Sequence, residues 1–209
     1  VNDILGGLAT VADAPIAPDT WGYASTKTYE CDVEKAKELL AEAGYPDGIE
    51  LELWTPVGRY LMDTQVCENL QAQWEKAGIK VNIRQWEFQA LMSEVKKGEF
   101  DMVLLGWSPS TGDADQGLYP VFHSSQFPPN SNRAFYNNAE VDQLLEGAKT
   151  EVDEQVRMEM YKNAEQLIID DAAWTFLYYP KQALTYRSNI SGIEMLPTEH
   201  IMLENVVKE

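Results

Sequence analysis

The segment "GWSPSTGDADQGLYPVF" (residues 106–122) contains the side chains best suited to polar chemistry. Its two carboxylates, Asp113 and Asp115, could act as a general acid and base or as ligands of a cation. The run "DADQG" is similar to the start of a calcium loop, but its glycine comes one residue early and no glutamate follows at the required spacing. Aspartate in a glycine-containing turn usually accepts local backbone hydrogen bonds. The sequence therefore favours a turn-forming role for Asp113 and leaves direct ligand contact open.

Two other places offer groups that could contact a ligand. Trp107 lies where an apolar run meets the polar loop, and an aromatic side chain at the edge of a cleft can stack on a ligand. The segment "NSNRAFYNN" adds Arg133, Tyr136 and several amides. A guanidinium can grip a carboxylate through two parallel hydrogen bonds, although a solvated surface arginine is the common alternative.

The remaining residues give little support to catalysis or to a metal site. The two histidines, His123 and His200, do not lie in GxSxG, HExxH or a similar motif. Cys31 and Cys67 are not spaced as CxxC, so zinc binding and thioredoxin chemistry have no support. Cys67 lies within a helical pattern, which favours a buried thiol over a disulfide. We predict no cofactor, no metal and no catalytic residue.

Composition narrows the choice of partners. The chain has 209 residues, 44% of them hydrophobic, and a net charge of −18. Nucleic acids and anionic membranes select basic patches, so neither is an expected partner. No apolar run is long enough to span a membrane, and the first residues lack the pattern of a signal peptide. They read instead like the middle of a protein.

Alternating strand and helix patterns position the polar loop. We predict strands at "IELELW", "IKVNIRQW" and "FDMVLLGW", and helices before and between them, the first capped by Asp32 and stopped at Gly44. Such alternation with short connections is typical of parallel strands with right-handed crossovers. Ligands bind outside the carboxyl ends of such strands, and the loop at 107–117 follows one of them.

The second half of the chain is predicted to be mainly helical. Residues 137–174 contain two apolar stripes at helical spacing, one through Val141 and Leu145 and one through Val156 and Ile168. The run "TFLYYPKQALTYR" predicts a strand interrupted at Pro180. The remaining residues are poor in core signal, so this tail needs something else to pack against.

Four segments carry a resemblance that extends over nearly the whole chain. They are "YECDVEKAKELLAEAGYPDGIELELW", "ENLQAQWEKAGIKVNI", "GEFDMVLLGW" and "NNAEVDQLLEGAKTEVDEQVRMEMYKNAEQLIIDDAAWTFLYYPKQ". In this order they resemble the C-terminal part of the extracytoplasmic solute-binding proteins (family 5) of peptide and nickel ABC transporters. The loop is most similar to the glutathione-binding branch, which has a closely similar Ser-Thr-Gly-acidic-Ala-Asp sequence.

The resemblance implies an α/β lobe of the periplasmic-binding-protein type II kind, with a βαβαβ core and flanking helices. Residues 1–180 would form this second, ligand-binding lobe, and residues 181–209 would return to a first, N-terminal lobe that is absent from this chain. The implied activity is binding without chemistry: hinge closure encloses the ligand, which is delivered to the membrane permease subunits. The implied location is the periplasm or the outer face of the cytoplasmic membrane, with or without a lipid anchor.

The resemblance also indicates a ligand site and leaves alternatives. In dipeptide- and oligopeptide-binding members an aspartate three residues after the matching tryptophan holds the ligand's free amine, and here that position is Ser110. A hydroxyl cannot replace a charge-assisted bond, so a plain dipeptide is disfavoured and glutathione or a related short peptide is expected. Other ligands are an oligosaccharide, an opine or a nickel chelate, and a carboxylate-dependent hydrolase using Asp113 and Asp115 is the non-family alternative. The expected ligand-binding residues are Trp107, Ser108, Ser110, Thr111, Asp113, Arg133 and Tyr136, with Ser110 and Thr111 donating hydrogen bonds.

Overall fold

The chain folds into two compact units, and a computed structural model describes all 209 residues. Tyr29–Gly106, with Asp3–Leu5, form the sheet unit; Val1–Asn2, Gly6–Thr28 and Trp107–Glu209 form the helical unit. The division at residue 180 that the resemblance implies stays a prediction.

The secondary structure follows the predicted alternation of strands and helices through the first half of the chain. No helix is both long enough and apolar enough to cross a bilayer. In chain order the elements are α1 (Asn2–Leu5), β1 (Ala9–Val11), α2 (Val33–Glu42), β2 (Ile49–Pro56), α3 (Asp63–Glu75), β3 (Ile79–Trp86), α4 (Phe88–Glu94), β4 (Met102–Val103), α5 (Ala114–Phe122), α6 (Ala139–Thr150), α7 (Glu154–Asp170), β5 (Tyr178–Pro180), β6 (Ile190–Ser191), β7 (Glu194–Met195), β8 (Ile201–Met202) and β9 (Val207–Lys208), with 3-10 helices at Val95–Lys97 and Ser124–Gln126.

The sheet unit is built on three parallel strands in the order β3-β2-β4. Because α3 joins β2 to β3 and α4 precedes β4, the predicted βαβαβ arrangement is confirmed. Successive side chains of the central strand point to opposite faces, so β2 contributes to two buried clusters. The buried members are Leu53, Cys67 and Val81 in one cluster, and Trp54, Leu91 and Val95 in the other.

The ends of the helices in this unit follow the sequence signals. Asp32 caps α2 by accepting a hydrogen bond from the Lys35 backbone, as predicted. Gly44 and Gly78 have positive φ values of 93° and 89° after α2 and α3, which glycine adopts without steric cost. Cys67 is buried, as predicted, and Cys31 is exposed; both are free thiols.

Strand β4 is shorter than the apolar run "FDMVLLGW" predicts. Only Met102 and Val103 pair with β2, and the Leu104 backbone adds one further hydrogen bond, to the Trp54 carbonyl. The carboxylate of Asp101 accepts a hydrogen bond from the Glu52 backbone N–H. That side-chain contact takes the donor that a longer β4 would use, so the strand begins after Asp101.

The helical unit packs α5, α6 and α7 around one core. Both predicted stripes contribute to it, although Val156, in the first turn of α7, is exposed. β1 pairs with β5 in antiparallel register, with Thr10 opposite Tyr179. The buried members of the core are Ile16, Ala114, Leu118, Val121, Phe122, Val141, Leu145, Ala148, Tyr161, Ala164 and Ile168.

Helix α5 lies where the sequence predicts the end of a polar loop. Leu118, Val121 and Phe122 have helical spacing and are fully buried. Gly117 and Pro120 lie among them, and both residues lower helix propensity enough to hide the pattern. Tertiary burial of the apolar face therefore overrides local propensity here.

We expect Asn138→Ala to lower the free energy of unfolding by about 1–2 kcal/mol, because it removes the N-cap of α6. The Asn138 side chain accepts hydrogen bonds from the Glu140 and Val141 backbones and donates one to Asp171. Denaturant unfolding of the full-length protein measures the effect. Asn137→Ala, at an exposed neighbour that caps nothing, is the matched control, and equal losses in both variants would contradict this role.

Candidate functional site

The predicted ligand loop begins where the chain passes from the sheet unit to the helical unit, between Gly106 and Trp107. Trp107 is 38% exposed. Ser108, Ser110 and Thr111 are exposed as well. Five of the seven residues predicted to bind ligand, including half-buried Asp113, thus lie on one surface loop, residues 107–113, which we call the ligand loop.

Gln116, on the first turn of α5, holds the exposed half of the ligand loop. Its side-chain Oε1 accepts hydrogen bonds from the Ser110 hydroxyl and from the Thr111 backbone N–H, both at 2.9 Å. Its backbone carbonyl accepts a hydrogen bond of 2.8 Å from the Trp107 indole Nε1. Three predicted site residues are therefore oriented by one residue that the sequence reasoning did not select.

The backbone of Trp21 forms hydrogen bonds with the other half of the ligand loop. Its N–H donates to the Gly112 carbonyl, and its carbonyl accepts from the Ala114 N–H, each at 2.8 Å. These two bonds form a parallel bridge between Trp21 and Asp113. The ligand loop is thus tied to the helical unit on both sides.

Asp113 forms the local backbone hydrogen bond that the sequence favours for it. Its Oδ1 accepts from the Asp115 N–H at 2.9 Å and caps α5. Arg157 grips the same carboxylate with two bonds of 2.8 and 3.0 Å. Burial raises the pKa of Asp113, but the hydrogen bonds from Arg157 and from Asp115 outweigh it, and the pKa lies below its usual value.

Arg157 is the second residue that the sequence reasoning missed. Beyond Asp113, its guanidinium donates to the Ala148 carbonyl and to the Tyr161 hydroxyl, each at 3.0 Å. It also lies 4.4 Å from the centroid of the Trp21 ring, within the range of a cation–π contact. One side chain on α7 therefore contacts both Asp113 and Trp21, the two residues of the parallel bridge.

The geometry does not favour Asp113 and Asp115 as a catalytic pair of carboxylates. Asp113 is already in a bidentate ion pair, so it cannot act as a free base. Asp115 lies 4.0 Å from the Lys149 ammonium. A polar cleft of about 570 Å³ beside Asp113 is lined mostly by charged residues, whereas small-molecule pockets are mainly apolar. The lining residues are Trp21, Asp113, Lys149, Glu151, Val152, Glu154 and Arg157.

Arg133 and Tyr136 lie in a second loop that a buried amide organises. Asn132 is fully buried and bonds to the His123 carbonyl and to both backbone groups of Tyr136. The Tyr136 hydroxyl donates to Asp171, and burial together with that carboxylate raises the pKa of Tyr136. Arg133 is half-buried. Tyr136 is therefore engaged within the protein, and ligand contact by either residue stays a prediction.

The sheet unit, taken by itself, has an exposed cation just after the carboxyl end of β2. The Arg59 guanidinium lies over the Tyr60 and Phe88 rings, at 5.3 and 5.1 Å from their centroids. Buried Asp63 accepts hydrogen bonds from the Arg59 and Tyr60 backbones. An arginine held in this way can bind a carboxylate. Its only sequence signal is its place just after a strand.

The chain is similar to proteins whose names include a peptide or glutathione. The chain is similar to the periplasmic binding protein DppA from Helicobacter pylori, solved in complex with the peptide STSA, with a TM-score of 0.88 and 30% identity, covering 100% of this chain and 41% of that one. It is also 33% identical to the glutathione-binding protein GsiB of Escherichia coli, over 98% of this chain and 41% of the relative. The structural likeness confirms the predicted α/β lobe of the periplasmic-binding-protein type.

A third relative is named for haem and not for a peptide or glutathione. The chain is 36% identical to heme-binding protein A of Haemophilus influenzae, over 83% of this chain and 32% of the relative. The chain thus spans about a third to two fifths of the length of the proteins it matches. The family model of the bacterial extracellular solute-binding proteins, family 5 (middle part), matches residues 1–129. The chain therefore belongs to family 5 of the bacterial extracellular solute-binding proteins.

Proposed function

We propose that the protein containing this chain is the substrate-binding component of an ABC importer. It captures a short peptide outside the cytoplasmic membrane and delivers it to the permease subunits, and it catalyses no reaction. Residues 1–180 form its second lobe, and the tail from residue 181 returns to an N-terminal lobe outside this chain. The greater length of its relatives supports an N-terminal lobe outside this chain. Hinge closure around the ligand follows from a two-lobed design.

Glutathione is the ligand that we favour. The observation that carries this choice is the 33% identity to a glutathione-binding protein over 98% of the chain. The exposed part of the ligand loop agrees with it, because an indole, two hydroxyls and ordered backbone can contact a small polar peptide.

The ligand loop supplies different kinds of contact. Trp107 forms an aromatic wall, Ser108 and Thr111 offer hydroxyls, and Asp113 keeps the loop in shape through Arg157. Of the two roles open for Asp113, we propose the loop-shaping one, because its carboxylate is already paired. Arg133 and Tyr136 contribute at the margin of the site.

Haem is the second candidate, because one relative at 36% identity is a heme-binding protein. The histidines of this chain favour it less. His123 is 4% exposed, and its two ring nitrogens contact Ser125 and Glu146. Only His200 is left as an exposed imidazole, so we rank peptide binding first.

A calorimetric titration of the full-length protein tests the proposal. The panel contains reduced glutathione, oxidised glutathione, the dipeptides Ala-Ala and Ala-Phe, haem, and a nickel–histidine chelate. We expect the tightest binding for glutathione. Preference for haem or the nickel chelate would keep the family and replace the ligand, and turnover of any peptide would contradict the non-catalytic role.

We expect Trp107→Ala to weaken glutathione binding by about tenfold or more, because aromatic side chains at the centre of a site contribute strongly to affinity. Its indole is pre-oriented by the bond to Gln116, so little conformational entropy is lost on binding. Titration of the variant measures the loss. Tyr45→Ala, which removes an exposed ring from the sheet unit, is the control, and unchanged affinity in Trp107→Ala would refute the assignment.

A further inference from the structure

The tail forms a tight turn between its strands β7 and β8, which pair with each other. The Leu196 N–H donates a hydrogen bond of 2.9 Å to the His200 carbonyl. The Glu199 N–H donates one of 3.0 Å to the Leu196 carbonyl. These bonds hold residues 196–200 in one fixed arrangement, which we call the tail turn.

Gly112 is the residue of the ligand loop that the tail turn approaches. Its φ is 69°, in the left-handed region that favours glycine. A Cβ atom at this position would lie 3.5 Å from the Thr198 methyl group, which is an ordinary van der Waals contact. Both segments belong to the helical unit. The tail turn therefore lies next to the residues that are predicted to bind ligand.

The hydroxyl group of Thr198 orients the His200 side chain. Its Oγ1 lies 3.0 Å from the imidazole Nδ1, which is a hydrogen-bond distance. His200 is exposed, and its Nε2 makes no hydrogen bond or ion pair within the chain. Thr198 thus has its methyl group towards the ligand loop and its hydroxyl on a histidine that is open to a ligand.

The bond to Thr198 leaves an N–H donor on the Nε2 of His200. When the Thr198 hydroxyl donates to Nδ1, the single hydrogen of the neutral ring lies on Nε2. When the ring takes up a second proton, Nδ1 donates to Thr198 and Nε2 again carries a hydrogen. Both forms can donate to a ligand, and the charged form also attracts an anion.

A carboxylate is the ligand group that suits this donor. Two cations line the cleft beside Asp113, and both already have acidic partners. The Arg157 guanidinium pairs with Asp113, and the Lys149 ammonium lies 4.0 Å from the Asp115 carboxylate. With a net charge of −18, the protein as a whole repels anions, so an anionic ligand group needs a donor close to it. The free imidazole on the tail turn supplies one.

We propose that His200 is a further ligand-binding residue, which donates a hydrogen bond from Nε2 to a ligand carboxylate, and that Thr198 is the positioning residue that orients it. The inference rests on the proposed peptide-binding function and adds a contact from the tail. Glutathione has two carboxylates, so one of them can lie against the tail turn. The tail, which we propose returns to the N-terminal lobe, thus also contributes to the specificity of the site.

Amides of the ligand identify the group that His200 contacts. The probes are reduced glutathione and its two monoamides, in which a neutral carboxamide replaces the glutamyl α-carboxylate or the glycine carboxylate. Ala-Phe and its C-terminal amide are used if the dipeptide is the tighter parent. In the full-length protein we expect His200→Ala to weaken binding of the parent peptide by about tenfold, because a hydrogen bond to a charged group is lost. The same change should weaken the amide that lacks the contacted carboxylate by less than about threefold, because a neutral acceptor binds the donor less strongly.

A conservative variant tests the role of Thr198. Thr198→Val keeps the shape of the side chain and its methyl contact with the ligand loop, but it removes the hydroxyl that orients the imidazole. We expect a smaller loss than in His200→Ala, directed at the same carboxylate. Arg187→Gln removes an exposed cation from the tail outside the tail turn. It is the matched control and should leave the affinity ratio between the parent peptide and its amides unchanged.

Each outcome supports or overturns the inference. A loss in His200→Ala that disappears with one amide supports it and identifies the carboxylate. An equal loss for the parent peptide and all its amides would show that His200 has only a structural role and would overturn the inference. Unchanged binding of the parent peptide in His200→Ala would also overturn it while leaving the proposed function intact. If the wild-type protein bound none of the peptides, both would be overturned.

Discussion

Replacing Arg157 with methionine is expected to lower the free energy of unfolding by about 2–3 kcal/mol. The change leaves the Asp113 carboxylate without its partner and removes bonds to Tyr161 and to the Ala148 carbonyl. The loss should fall below that of a fully buried ion pair, because the two side chains are 22% and 31% exposed. Denaturant titration of the full-length protein measures it.

Three further variants test the reason for this loss. Arg157→Lys keeps the charge but loses the two-pronged geometry, so it should be intermediate. Lys162→Met removes an exposed ion pair with Glu159 on the same helix and should have little effect. Adding Asp113→Asn to Arg157→Met should recover part of the stability, because no unpaired carboxylate is then left. If Arg157→Met were no worse than Lys162→Met, the network would have no structural role.

Replacing Glu165 with glutamine is expected to stabilise the protein more at pH 7 than at pH 4.5. The free energy of unfolding of the variant minus that of wild type should be about 3 kcal/mol larger at pH 7. Glu165 is fully buried on α7, and its carboxyl accepts a hydrogen bond of 3.2 Å from the Ala24 backbone. Burial raises the pKa of this carboxyl to about 9. The folded protein therefore holds Glu165 as the neutral acid at neutral pH.

The sign of the pH effect follows from proton binding. Unfolding exposes Glu165 to water, where its pKa is near 4.5, so the unfolded chain releases the proton at neutral pH. The stability that this proton contributes is complete below about pH 4.5 and is lost as the pH rises towards 9. Glutamine cannot ionise, so the variant lacks this loss.

Free energies of unfolding between pH 4.5 and 9 measure the difference between wild type and Glu165→Gln. Subtracting the two curves removes the contributions of all other titrating groups. Glu159→Gln, at an exposed position on the same helix, is the control and should stay parallel to wild type. Parallel curves for Glu165→Gln would show that the carboxyl is ionised in the folded protein.

The fold of the sheet unit could be predicted because its signals are local. Asp32 and Gly44 mark the ends of α2, and the period-two pattern of "IELELW" and "IKVNIRQW" marks β2 and β3. By contrast, α5 was hidden by Gly117 and Pro120, although its apolar face is buried. Burial against α6 and α7 is a tertiary effect that no short window contains.

The exposed residues of the site could be predicted from the sequence, but the residues that hold them in place could not. The exposed residues can be recognised as polar or aromatic groups that follow an apolar run, as in Trp107, Ser110 and Thr111. Arg157 lies 44 residues from Asp113 in the sequence, so no local pattern relates them. Gln116 is only six residues from Ser110, but an ordinary glutamine gives no sign that it accepts the hydrogen bonds that order the loop.

The pairing of β1 with β5 sets an order of events during synthesis on the ribosome. Ala14 and Tyr179, which hydrogen-bond beside these strands, are 165 residues apart. At about 5–20 residues per second, the N-terminal segment waits roughly ten to thirty seconds for its partner. The residues of the sheet unit, Tyr29–Gly106, emerge in between and contain their own strands and helices. The nascent chain can thus complete an inner unit while β1 is still unpaired and open to chaperones.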